Sequence, residues 1–385
     1  MQKIQHYDIA IIGSGITGLS TAHHLAQDTD VRVCLSVGLE PEPVSRASAN
    51  MITGGLIDNF TRISQRHGME HAKESWLYSN RAYDALMKFA KHSGLEPIEG
   101  ARIRLIESED EFVECTKAVE QLKQAGFSSE ISKGLPEGTE HLLAQQIDQP
   151  KAATLDTQKL LNTLQVTTAK IERVPRTLSF TRESQHFSVK TEGESFTAAV
   201  IVLANHLQIP QFLPGLSEVI LSTQDQSLRM STGGKTLPFP VGSLLTWRHG
   251  HYWASIESAT QLSIGGARFL RPLAGFEANK PELSEKVSKH LPEAWKKYFP
   301  TIPLAEHLHQ KAGLDCRPCD EIPVIGPMFG ETGIFLGAGY MGQGMSLGFK
   351  AGQSLANLVL GKSDELPRFF WPERHRSLAP SLSGD

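Results

Sequence analysis

The feature that most constrains this chain is a glycine pattern in a fixed context. The apolar run Tyr7-Asp8-Ile9-Ala10-Ile11-Ile12 leads directly into Gly13-Ser14-Gly15-Ile16-Thr17-Gly18. Such a run reads as a buried parallel strand. Leu19, Ala22, Leu25 and Ala26 then recur at helical spacing, and Val31-Arg32-Val33-Cys34-Leu35 reads as a second parallel strand. G-x-G-x-x-G between a strand and a helix is the fingerprint of a dinucleotide-binding βαβ unit. Gly13 permits the tight turn, Gly15 lets the backbone approach a pyrophosphate, and Gly18 allows close packing of helix on strand. The helix start then directs its free N–H groups at the phosphates, with Ser14, Ile16 and Thr17 beside them. The acid expected about 20 residues further on, to hold the ribose hydroxyls, is replaced by Ser36, and Glu40 follows in the loop. Both are ribose candidates. The lack of an Arg at this place argues against a 2′-phosphate.

Composition narrows the class. A chain of 385 residues has room for two domains. Against 42 Asp plus Glu stand 38 Lys plus Arg, a formal charge of −4, so no global positive field gathers nucleic acid or anionic membrane. Four cysteines, with Cys34 and Cys115 far from Cys316 and Cys319, are too few for a disulfide scaffold and fit a reducing, cytoplasmic compartment. No signal-peptide pattern precedes the first strand, and no apolar run reaches the roughly 18 to 20 residues of a membrane span.

Three further segments identify the dinucleotide by resemblance. Ser45-Arg46-Ala47-Ser48-Ala49-Asn50-Met51-Ile52-Thr53-Gly54-Gly55-Leu56 is similar to a small-residue loop, Gly313-Leu314-Asp315-Cys316-Arg317-Pro318-Cys319-Asp320-Glu321-Ile322-Pro323-Val324-Ile325-Gly326 to a G-L-R-P-x-T-x-D-x-x-P-x-I-G segment, and 333–345 to a strand and glycine-rich turn before a helix. In that order they resemble the FAD-dependent D-amino acid oxidase, glycine oxidase and sarcosine oxidase family. The resemblance implies an α/β fold, with a Rossmann-like FAD-binding domain and an inserted α+β substrate-binding domain, of the glutathione reductase-2 type. It divides the chain into 1–90, 150–209 and 307–375 for FAD, and 91–149 and 210–306 for substrate. It also implies that Arg46, Ala47, Ser48, Met51, Gly54, Gly55 and Leu56 run beside the flavin. Gly339, Tyr340, Met341, Gly342, Gln343, Gly344 and Met345 would bring a helix start to its pyrimidine edge, where the dipole favours the charge of a reduced flavin.

Local patterns fill in the rest. Ala72, Trp76, Tyr83, Leu86 and Ala90 describe an amphipathic helix. A strand is expected over 101–107, a charged helix over 110–125, a helix capped by Asp156, and strands near 198–203, 252–256 and 261–264.

On the substrate side, the family's carboxylate-clamping Arg aligns without gaps on Asp315, and with a two-residue slip on Arg317. Strand alternation puts both on one face, so Asp315 favours a cationic amine and Arg317 a carboxylate. Tyr252, after His249-Gly250-His251, is either a pocket residue, as at a similar spacing in glycine oxidase-like enzymes, or a half-buried sheet residue. Arg268 is a second anion candidate, and Arg248, His251 and Tyr340 are weaker ones. Cys316-Arg317-Pro318-Cys319 is read as two ordinary thiols, since zinc needs four ligands. FAD is accordingly expected without a covalent bond, and no metal is expected. The implied reaction is oxidation of a C–N bond of an amine or amino acid by hydride transfer, with O2 or another acceptor reoxidising the flavin. Three alternatives remain: a stand-alone oxidase resembling the FAD-dependent half of the tRNA wobble-uridine maturation enzyme, a 2-hydroxy acid (C–O) dehydrogenase, and a flavin subunit of a complex. Oligomeric state is not legible.

Overall fold

The computed structural model describes residues 4–28, 30–38, 44–135, 138–139, 141–271 and 280–377. Two compact units share the chain: residues 1–46, 157–222 and 315–385 form the first, and 47–156 and 223–314 the second.

The first unit is built on a parallel sheet. Gln5–Ile12 lies between Val33–Ser36 and Ser195–Leu203, Glu172–Val174 extends the sheet beyond Val33–Ser36, and Ile334–Ala338 joins on the far side of Ser195–Leu203. Val324–Pro327, His186–Thr191 and Thr177–Glu183 add antiparallel pairings. Strands buried on both faces read as continuous apolar runs, and Tyr7, Ala10, Ile12, Ile201, Leu203 and Leu336 fill one core with Leu213, Leu216 and Cys316. Helices Ile16–Leu25 and Gly344–Val359 lie together in this unit. A Cβ at Gly348 would come 2.7 Å from Ile16 Cγ2, and one at Gly352 would come 2.6 Å from Ser20 Cβ and Thr17 O. Positions 348 and 352 meet 16–17 and 17–21 in increasing order, so the helices run parallel with their N-termini side by side.

The second unit holds a nine-stranded mixed sheet in the order Glu306–Pro318, Ile220–Ser231, Gln261–Gly266, Tyr252–Ile256, Leu244–Trp247, Ile98–Ile106, Ala144–Thr154, Met51–Thr53, with Ser129–Ser132 also paired to Ala144–Thr154. Helix Glu285–Tyr298 contributes Val287, Leu291 and Trp295 to the core beneath one face. Helices Phe60–His67 and Met69–His92 meet Glu109–Gln124 through Phe60, Ile63, Trp76, Ala118 and Leu122. That cluster explains a shifted boundary: residues 47–90, expected with the FAD-binding part, belong to the second unit.

The fold is the expected α/β arrangement, with a Rossmann-like sheet and an inserted sheet-bearing part. The amphipathic helix expected around 72–90 extends over Met69–His92, and the strand at Tyr252–Ile256 stands where expected. The helix expected after the glycine-rich turn starts at Gly344. The long strand Ala144–Thr154 has no counterpart in the sequence reading, because its alternation is broken by Gln145, Gln146 and Asp148. No described helix is long and apolar enough to cross a membrane.

Candidate functional site

In the first unit, Gly13 sits at φ +114°, and a Cβ there would lie 2.5 Å from Ala204 O and 2.8 Å from Asn205 N. A Cβ at Gly18 would be 1.8 Å from Gly13 O. The turn is therefore shaped by backbone against backbone. Gly15 occupies the N-cap of Ile16–Leu25 without a side-chain acceptor, and the first turn carries no acid. Ser45 Oγ accepts the Ile16 N–H at 3.0 Å, a contact the sequence did not reveal. The neighbouring helix Gly344–Val359 likewise begins without a side-chain cap or a first-turn acid. Two parallel helix starts lacking negative charge form a site suited to an anion. Thr17 Oγ1 and Tyr340 Oη lie 2.9 Å apart and tie the two together. Burial pushes the Tyr340 phenol well above its ordinary value, so it stays protonated. Met341 and Gly342 adopt left-handed φ of +48° and +81°, so the turn 339–343 reaches the helix start in a strained conformation.

Beside the glycine turn, at the carboxyl end of Ser195–Leu203, both side-chain polar atoms of Asn205 are buried with no hydrogen-bond partner, and so is His206 Nδ1. His206 has φ +56°, and burial pushes its imidazole down to about 4. Buried unsatisfied groups are rare, and the carboxyl ends of parallel strands are where such sheets bind ligands. A dinucleotide with a pyrophosphate at the helix start fits these residues, since its polar atoms would satisfy what the protein leaves unmet. Asn205 and His206 are absent from the candidates read from the sequence.

The ribose candidates fare differently. Ser36 Oγ donates to Pro175 O at 3.1 Å and accepts from Thr177 N and Thr177 Oγ1, both at 2.9 Å. Its one proton and both lone pairs are engaged by Pro175 and Thr177, so it has nothing left for a ribose. Glu40 lies outside the described residues. Arg46 is exposed in the short 3-10 turn Val44–Ala47, with its carbonyl 3.3 Å from Gln158 Nε2.

Asp315 and Arg317 are half-buried and alternate with buried Cys316 and Pro318, so they share a face as expected. Arg317 Nη1 is 3.3 Å from Glu321 Oε1, and Asp315 Oδ1 accepts the Cys316 N–H at 2.9 Å. All four cysteines are free thiols. Burial raises the Cys316 and Cys319 thiols above their ordinary range. Among the described residues no three His, Cys, Asp or Glu side chains gather as a metal site.

In the second unit, Lys311 Nζ donates to Ser48 O at 3.1 Å, Ala47 Cβ lies 3.5 Å from the Cβ position of Gly313, and Met51 pairs with Thr154. The next residues, Gly54 to Leu56, are held on all sides. Arg102 Nη1 donates to Gly54 O at 2.9 Å and its Nη2 to Leu56 O, Ser79 Oγ donates to Gly55 O, and Asn80 Oδ1 accepts the Gly55 N–H at 2.9 Å.

Tyr252 is 2% exposed, stacked on Trp247, with its hydroxyl 2.8 Å from His290 Nε2. It fills the core with Trp295 and Tyr298 rather than a pocket. Alternation sends the next residue to the opposite face, where half-buried Trp253 lies across Gly265, whose absent Cβ would be 2.4 Å from the indole. Buried Ser255 Oγ, without a partner, is on that same face. Arg268, after left-handed Ala267, lines a small pocket with Gln224, Asp225, Gln226, Gly266, Arg271 and Val287. Arg248 stands 5.5 Å from the Phe269 ring centre. Burial, then the charge of Arg248, keeps the His251 pKa low.

Comparison with known proteins agrees with this geometry. A family model described as FAD dependent oxidoreductase matches residues 8–358. Among solved structures, the glycine oxidase from Geobacillus kaustophilus is similar at 18% identity and TM-score 0.78, over 96% of this chain and 99% of that one. Iminodiacetate oxidase (IdaA) from Chelativorans sp. BNC1 is similar at 17% identity and TM-score 0.72, over 94% and 98%. L-proline dehydrogenase from P. horikoshii is similar at 15% identity and TM-score 0.75, over 97% and 99%. At these identities the likeness is one of fold. No curated protein sequence matches the chain. The chain belongs to the DAO family of FAD-dependent oxidoreductases, and it is a flavoenzyme.

Proposed function

We propose that this FAD-dependent oxidoreductase oxidises a C–N bond of an amine or amino acid. The similar structures bear the names of enzymes for glycine, iminodiacetate and proline. Bound FAD supplies a two-electron acceptor that takes up a hydride. Gly13 to Gly18 and the two helix starts would hold its pyrophosphate, and Asn205 and His206 would satisfy polar atoms close by. The turn Gly339 to Met345 would lie along the ring. Cys316, fully buried and kept protonated, offers no thiolate for attachment, which supports FAD held without a covalent bond.

The observation that carries the substrate reading is Asp315. Where related oxidases are expected to place a carboxylate-clamping Arg, this chain has an acid, and Arg317 on the same face is engaged by Glu321. A carboxylate at this place attracts a cationic group of the substrate. An amine must be neutral at the reacting nitrogen when its C–H bond yields a hydride. The cation that Asp315 selects is therefore a second basic group, or the ammonium before it loses its proton. Alignment supplies the rest of the barrier reduction.

Asp315→Asn tests the proposal by steady-state kinetics. KM for a cationic amine is expected to rise by about tenfold, the equivalent of about 1.4 kcal/mol, while kcat changes less. An unchanged KM for every cationic amine, or tighter use of substrates bearing only a carboxylate by the unmodified enzyme, would contradict it.

A further inference from the structure

Several arginines of this chain are answered by acids: Arg62 by Glu114, Arg229 by Glu257, Arg317 by Glu321 and Arg374 by Asp320. In the second unit, Arg248, Arg268 and Arg271 break this pattern. Among the described residues none of the three forms an ion pair. Arg268 and Arg271 line the same small pocket, and Arg271 Nη1 is buried without a hydrogen-bond partner. A buried guanidinium nitrogen with no acceptor is costly. The fold leaves an open demand for negative charge.

The backbone draws these cations together. The antiparallel strands Tyr252–Ile256 and Gln261–Gly266 end with Tyr252 opposite Gly266. A Cβ at Gly266, which has φ +105°, would lie 2.2 Å from His251 O, and the Ala267 N–H donates to that same oxygen at 2.8 Å. Left-handed Ala267 then starts the 3-10 turn Arg268–Leu270, and the Arg271 N–H donates to Arg268 O at 2.9 Å. The turn that carries Arg268 and Arg271 is thus pressed against the hairpin end that carries Arg248 and His251. Arg248 and His249 hold left-handed φ of +50° and +53°, the kind of strain that gathers where ligands are held. Burial, then the charges of Arg248, His249, Arg268 and Arg62, holds the His251 imidazole below its ordinary value. That is the response of a base in a positive field.

The other polar walls of the pocket are already satisfied. Gln224 exchanges both of its amide hydrogen bonds with the Glu282 backbone, and the Gln226 amide bonds the Ser284 backbone and Ser288 Oγ. Asp225, the one acid in the lining, accepts the Gln226 N–H at 3.0 Å, and strand alternation turns it to the opposite face from those two amides. What the pocket offers a ligand is guanidinium, whose planar fork matches the paired oxygens of a carboxylate or phosphate.

We propose that Arg268 and Arg271 form an anion-binding site within the second unit, with Arg248 adding to its field, and that it takes the carboxylate or phosphate group of a small molecule. The site is built from residues of 223–314 alone, and it does not depend on the substrate reading of Asp315. The pocket is small, so the head group enters and the rest of the molecule stays outside.

The test uses the FAD-loaded protein, so that the helix-start anion site is filled by the cofactor. Isothermal titration with inorganic phosphate and with succinate, at an ionic strength held constant with sodium chloride, compares the unmodified protein with Arg268→Gln, Arg271→Gln and Arg271→Lys, alongside thermal melts. The unmodified protein is expected to bind one of these anions with a Kd of about 1 mM or tighter and to melt higher in its presence. The tighter of the two names the head group. Each Gln variant is expected to bind about tenfold more weakly or worse, with Arg271→Lys, which keeps the charge and loses the fork, between them and the unmodified protein. Without ligand, Arg271→Gln should melt no lower than the unmodified protein, because it removes an unmet buried charge. No binding beyond the sodium chloride control, or unchanged Kd values in both Gln variants, overturns the proposal. If Arg271→Gln melts lower and holds phosphate and succinate as before, Arg271 merely packs and the proposal fails.

Discussion

Two glycine-bearing turns, one in each unit, are made rigid by opposite means. At Gly13 to Gly18 the constraint is backbone against backbone: Gly13 abuts Ala204 O, Gly18 abuts Gly13 O, and the polar atoms nearby, on Asn205 and His206, are left without partners. At Gly54 to Ile57 the constraint comes from side chains, and every carbonyl is already satisfied. The first turn is a cradle with unmet hydrogen bonds, and the second is a buried segment whose carbonyls are met by side chains. A binding site for a phosphate needs the former.

The sharpest way to break that contrast is Gly13→Ala. The added methyl meets backbone atoms at 2.5 Å and 2.6 Å in a left-handed conformation, so FAD affinity should fall about 100-fold or more. Gly342→Ala, at φ +81° with nothing within 4 Å, should cost only about 1 kcal/mol of stability. Isothermal titration of apoprotein with FAD and thermal melts check both, and equal effects would mean that the first turn is not sterically defined. Ser36→Ala comes next. It leaves Thr177 N and Pro175 O unpaired, at a cost of about 1 to 3 kcal/mol in denaturant melts, while FAD affinity stays within about twofold. A large loss of affinity at unchanged stability would return Ser36 to the ribose.

An effect confined to acid pH concerns His206. The folded chain holds it neutral down to about 4, whereas an unfolded chain protonates it near 6.5. The unfolded state then binds the extra proton between those values. Its contribution to stability is whole above about pH 6.5 and is lost as pH falls toward 4, at up to about 1.4 kcal/mol per pH unit. His206→Asn should flatten the apoprotein's stability profile in that window, while His24, also pushed down to about 4 by burial, and the likewise lowered His23, His251 and His375 keep part of the slope. An unchanged profile would show that His206 is not held neutral.

The same contrast explains what the sequence made legible. Gly13, Gly15 and Gly18 were readable because their task depends on neighbours in sequence and on the strand and helix that flank them. The pinning of Gly54 to Leu56 was not, because Arg102 acts across 46 to 48 positions and nothing in a strand pattern marks a residue that reaches a distant carbonyl. Tyr252 shows the limit of spacing arguments in a strand, where a shift of one residue exchanges the core for the opposite face. Ser36 shows the limit of position alone: it ends the expected strand, yet Thr177 and Pro175 had already claimed its hydroxyl. The family resemblance supplied the cofactor, which no single motif carried. Asp315 and Arg317 fell on one face because alternation fixes their faces however the alignment slips.

The central claim is that this flavoenzyme removes a hydride from carbon next to nitrogen. It is tested most directly by anaerobic mixing of the FAD-loaded protein with a panel of amines, amino acids and 2-hydroxy acids while the flavin band is followed in a stopped-flow instrument. The account gives rapid bleaching by an amine or amino acid, fastest for one carrying a second cationic group, and none by hydroxy acids. Bleaching by a hydroxy acid alone would contradict it.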